Sequence, residues 1–71
     1  MAKDKIETRG STIFTDIAYD NGMLTVELVN GTAYQYRQFP KLMWDWFKKA
    51  ASYGSFYNTY IKGVYQYYRI R

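Results

Sequence analysis

From Ser11 the chain alternates apolar and polar positions with period 2: Ile13, Thr15, Ile17 and Tyr19 share one side, Phe14, Asp16 and Ala18 the other. Side chains on opposite faces of an extended backbone repeat in this way, which predicts a half-buried strand over about 12–19. Asp20-Asn21-Gly22 follows, and an Asn-Gly pair tolerates the positive φ of a tight hairpin. A second strand is predicted over 23–29, with Leu24, Val26 and Leu28 inward and Thr25 and Glu27 outward. Asn30-Gly31 supplies another such turn, and a third strand is predicted over 32–37. Two Asn-Gly turns in succession predict an antiparallel three-stranded meander.

The period changes at Tyr34-Gln35-Tyr36-Arg37-Gln38-Phe39-Pro40-Lys41. Pro40 cannot donate to a strand ladder, and its fixed φ suits a first helical turn, so this octet joins two halves of a fold. Beyond it Leu42, Met43, Trp46, Phe47 and Ala50 recur at helical spacing, with Lys41, Asp45, Lys48 and Lys49 on the far side. An amphipathic helix is predicted over about 40–51, ended by Ser52-Tyr53-Gly54. Ser55 is placed to cap a second helix over about 55–62, which Gly63 would end. The tail, residues 64–70, is rich in β-formers and reads as an edge strand or an extended segment. The fold class is therefore α+β: a meander too small to cover its own apolar face, with two helices packed on one side. Its predicted core is Ile13, Ile17, Leu24, Val26, Leu28, Tyr34, Tyr36, Trp46, Phe47, Phe56 and Ile61. Residues 1–10 read as a flexible or weakly docked arm, and 11–71 as a single domain.

Composition narrows the chemistry. The 71 residues contain no Cys and no His, which removes thiolate ligands, disulfides and the commonest general base. Asp16, Asp20, Glu27 and Asp45 fall on separate elements without a spacing that suits acid–base work or a metal cage. The expectation is a protein that is not an enzyme and needs no cofactor or metal. No apolar run reaches the length of a signal peptide or membrane span, so the expected location is cytoplasmic, without membrane association. With 9 Tyr, 4 Phe and 2 Trp, aromatic packing supplies a core despite the short chain.

Charge is unevenly placed. The net charge is +4, yet residues 37–71 hold Arg37, Lys41, Lys48, Lys49, Lys62, Arg69 and Arg71 against Asp45 alone. A basic half interleaved with tyrosines suits phosphate pairing plus base stacking, which nominates Arg37, Lys41, Lys62, Tyr65, Tyr67, Arg69 and Arg71 as contacts for RNA or single-stranded DNA. The competing reading of the tail is an edge strand whose arginines block further pairing. Tyr34 and Tyr36 are either a stacking platform or, if they face the helices, anchors of the core. A protein partner is the alternative, docking on Trp44, Tyr53 and Lys48; a third reading is a homodimer formed through an open sheet edge.

In order and spacing these features resemble the KTSC domain, a small family named after a C-terminal extension of some lysyl-tRNA synthetases and also found as stand-alone bacterial and phage proteins. The resemblance rests on Ser11 through Tyr19-Asp20, Tyr34-Gln35-Tyr36 with Phe39-Pro40, Ser52-Tyr53-Gly54, Phe56-Tyr57-Asn58-Thr59-Tyr60-Ile61 and Tyr65-Gln66-Tyr67-Tyr68-Arg69-Ile70. Attachment to a tRNA synthetase implies RNA as a ligand class. The bulky pair Trp44 and Trp46 and the N-terminal arm depart from the family's pattern.

Overall fold

Strand pairing follows the two Asn-Gly turns. The computed structural model describes residues 4–8 and 12–71, and in it β2 (Phe14–Asp20), β3 (Met23–Leu28) and β4 (Ala33–Tyr36) form the expected meander. Asn21 and Gly22 both take positive φ, 51° and 81°, the pair of left-handed residues that lets a two-residue turn match strand twist. At the second turn Asn30 accepts from Thr32 N at 2.9 Å, and Gly31 alone is left-handed. Two further strands extend the sheet: β1 (Asp4–Ile6) pairs antiparallel with β2, and β5 (Tyr67–Arg69) pairs antiparallel with β4. Among the described residues the sheet thus has five strands in chain order, β1-β2-β3-β4-β5. Between β4 and β5 the chain forms α1 (Lys41–Lys48) and α2 (Tyr53–Phe56), and α2 runs on into a π turn, Tyr57–Ile61. The α+β architecture expected from the sequence is present.

β1 corrects the reading of residues 1–10 as an arm. Ile6 pairs with Ile17 and is buried, while residues 1–3 and 9–11 lie outside the described part. Register then sorts the sheet into two faces. Asp4, Tyr19, Leu24, Tyr36 and Tyr67 stand opposite one another across all five strands on the helix side, as do Ile6, Ile17, Val26, Tyr34 and Arg69. Lys5, Ala18, Thr25, Gln35 and Tyr68 form the corresponding row on the outer face.

A bulge between Phe14 and Asp16 changes which residues of β2 enter the core. The extra residue, Thr15, flips the parity of everything before it, so Phe14 joins Ile17 and Tyr19 on the inner side. Phe14 is buried and Ile13, expected in the core, is 43% exposed. Ile13 instead lies along α2, its Cδ1 2.6 Å from where a Cβ on Gly54 would stand. Gly54, expected to help end the first helix, is the second residue of α2.

The helices carry a second correction. α1 ends at Lys48, three residues short of prediction, and its buried residues are Trp44 and Phe47. Trp44 is 0% exposed and Trp46, predicted as core, is 53% exposed. Both stripes, 42-43-46-47 and 43-44-47, are helical, and β1 decides between them: Trp44 Nε1 donates to Asp4 Oδ2 at 2.9 Å and its ring stacks on Tyr19 at 5.2 Å. Ser52, not Ser55, caps α2, accepting from Ser55 N at 3.3 Å. Leu24, Val26, Tyr36, Phe47 and Ile61 are fully buried as predicted, whereas Leu28, Tyr34 and Phe56 pack only partly buried against the core.

Candidate functional site

The joint between β4 and α1 is held from two directions. Phe39 N donates to Gly22 O at 2.8 Å, and Tyr19 Oη donates to Phe39 O at 2.7 Å. Fixing Phe39 in the core makes the chain turn sharply after Arg37, and Gln38 takes the left-handed conformation, φ 55°, which is uncommon for a residue with an unbranched side chain. Arg37 and Gln38 are thereby turned out of the sheet beside the segment that leads into β5.

That juxtaposition makes an open groove of about 920 Å³, lined by Arg37, Gln38, Gly63, Val64, Tyr65, Gln66, Tyr67 and Tyr68. Its lining contains a guanidinium and three phenol rings and no carboxylate. The Arg37 guanidinium lies over the Tyr68 ring, 4.6 Å from its centroid, on the outer face. Tyr67 and Tyr68 are 53% and 54% exposed. The tail is ordered as a strand, as expected, but it does not bury its rings; Val64 and Ile70 remain exposed as well.

One wall of the groove is braced by a tyrosine cluster on the inner side. Tyr67 packs against Tyr34 at 5.2 Å and Tyr36 at 5.6 Å, and Tyr65 meets Phe39 edge-on at 5.1 Å. Behind them the hydroxyls of Tyr36 and Tyr57 share a hydrogen bond of 2.6 Å in the core. Burial pushes the Tyr36 phenol far above its ordinary value, with the Tyr57 bond adding to it, and burial raises Tyr57 too. The π turn, closed by Lys62 N donating to Tyr57 O at 2.8 Å, sets Tyr57 at this depth. Tyr36 is accordingly a buried anchor of the fold, and Tyr34, half-buried, packs on the inner side against Tyr67.

Of the residues predicted to contact nucleic acid, the groove gathers Arg37, Tyr65 and Tyr67. The others are placed elsewhere. Lys41 pairs with Asp45 at 3.2 Å, Arg71 pairs with Glu27 at 2.7 Å, and Arg69 Nε donates to Arg71 O at 3.0 Å. Lys62 precedes Gly63 at the end of the π turn, exposed and next in sequence to the groove lining. Gln38, Gly63, Val64, Gln66 and Tyr68 line the groove without having been among the nominated contacts; Gln38 comes there through a left-handed turn that no turn residue announces. Of the predicted protein-docking set, Trp44 is in the core, Lys48 pairs with Asp4 at 2.8 Å beside the Trp44 ring, and Tyr53 packs on Phe47 at 5.9 Å.

Residues 10–70 match the family model of the KTSC domain. The fold is similar to the crystal structure of a KTSC domain protein from Yersinia pestis, with 30% sequence identity and a TM-score of 0.82, covering 99% of this chain and 100% of that one. Among curated proteins none matches the chain.

Proposed function

This chain belongs to the KTSC domain family, and from that premise we propose that it is a non-enzymatic binding module that takes a short single-stranded nucleic-acid segment, RNA or DNA, in the groove between Arg37 and the β5 segment. The observation that carries the reading is the Arg37 guanidinium held 4.6 Å over the half-exposed Tyr68 ring in a groove whose lining has no acid. An exposed ring offers a base a stacking surface, and the adjacent cation offers a phosphate its partner. The outer face away from the groove is poor ground for phosphate: Asp16, Asp20 and Glu27 stand along it, and Lys5 and Arg71 are already committed to Asp16 and Glu27. Binding is therefore expected to be local and sequence-tolerant, since every base has a π face. No helix among the described residues is long and apolar enough to cross a membrane, and a cytoplasmic nucleic acid fits the proposed ligand.

Fluorescence anisotropy of a labelled single-stranded oligonucleotide at two salt concentrations tests this. Tyr68→Ala is expected to weaken binding by about 1–3 kcal/mol, the usual worth of one base–aromatic stack. Absence of binding at low salt, or binding that Tyr68→Ala and Arg37→Ala leave unchanged, would contradict it.

A further inference from the structure

The outward face of α1 is a second surface, separate from the groove. Trp44 fills the core position of this helix, so Trp46 has no packing role there, and it stands 53% exposed with Leu42 59% exposed one turn before it. Residues four apart on a helix lie side by side, and Lys49 continues the same stripe three residues after Trp46. Exposed Trp and Leu in one patch mark a contact surface, because a monomer gains nothing from leaving them in water together.

Charge selects the partner. The single acid of this helix, Asp45, is bridged by Lys41 at 3.2 Å and by Lys48 at 3.8 Å. Lys49 is exposed beside Trp46 with no carboxylate among its own helix neighbours other than that bridged one. Lys41 and Lys48 are thereby taken up in ion pairs, Lys48 also with Asp4, and Lys49 is the cation that borders the apolar pair. We propose that the Leu42–Trp46–Lys49 face of α1 docks an acidic, amphipathic segment of a protein partner, with an apolar side chain seated on Trp46 and a carboxylate on Lys49.

The test uses the full chain and two synthetic helical peptides, one of leucine and glutamate and one with lysine in place of each glutamate. Dye-labelled peptide anisotropy gives affinity, and a blue shift of tryptophan emission reports burial of Trp46. The leucine–glutamate peptide is expected to bind saturably and shift the emission, the lysine version to bind at least about tenfold more weakly, and Trp46→Ala and Lys49→Glu each to lose about tenfold in affinity. Both substitutions leave the core untouched, so unchanged thermal melting excludes a folding defect, and Arg37→Ala is expected to have no effect. Equal binding of the two peptides, no saturable binding, or an emission shift produced by anionic vesicles or single-stranded RNA but not by the acidic peptide would overturn the proposal.

Discussion

Trp44 and Trp46 differ in what their loss should do. Trp44→Ala removes a buried ring, its stack on Tyr19 and the donor to Asp4, and is expected to cost about 3–5 kcal/mol, read from the urea midpoint. Trp46→Ala, at an exposed site, should stay within about 0.5 kcal/mol of the parent. Asp4 gives the same corner of the fold an acid response. The Lys48 ammonium and the Trp44 indole, both donating to its carboxylate, hold it down at about 2 against an ordinary 3.8. A depressed carboxylate stabilises the fold fully above its unfolded value and loses that contribution as pH falls through the folded one. Stability should therefore decline from about pH 4 toward pH 2, and Asp4→Asn should flatten that part of a pH series of thermal melts. An unchanged slope in Asp4→Asn would mean that the Lys48 and Trp44 contacts do not couple to folding. Gln38 offers a gain: glycine adopts its φ of 55° without a Cβ penalty, so Gln38→Gly should raise stability by up to about 1 kcal/mol.

At the scale of elements, the π turn and β4 are tied by the Tyr36–Tyr57 hydroxyl pair. Removing either hydroxyl leaves the other buried without its partner, so Tyr36→Phe and Tyr57→Phe should each cost about 1–3 kcal/mol, while the double variant should cost less than their sum. Additive losses in denaturant titrations would show that the two hydroxyls do not act as a unit. The meander was legible because alternation and Asn-Gly turns are local signals, and Tyr36, Leu24 and Val26 lie where the pattern puts them. Ile13 was misplaced because a bulge reverses parity without leaving a mark in the pattern. Trp46 was misplaced because LMWDWF supports two helical stripes, and the contact that chooses between them comes from Asp4, distant in sequence and in a strand of three residues with one large apolar side chain. Short strands and helix phase are tertiary decisions, so a single-chain pattern does not carry them.

Across the whole molecule, the two halves of the sequence become two kinds of surface. Asp16, Asp20 and Glu27 of the first half stand on the outer sheet face, Asp4 meets Lys48 of α1 on the helix side, and Arg37 lines the groove. The candidate site was half legible: a basic, tyrosine-rich C-terminal half was visible in composition, and Arg37 was its hinge-borne member. Which cations join the groove was not visible, because Arg71 and Lys41 are drawn off by Glu27 and Asp45, pairings made only on folding. Affinity for a single strand should fall with salt, and Arg37→Ala should lower the logarithmic slope by about 0.7, the value for one phosphate contact on a single strand. The most direct measurement is a titration of isotope-labelled protein with a short single-stranded oligonucleotide, followed residue by residue through backbone amide shifts. Binding in the groove is expected to give saturable shifts concentrated at Arg37, Gln38 and Gly63–Tyr68 with α1 unmoved. Shifts centred on Trp46, or none at any residue, would contradict it.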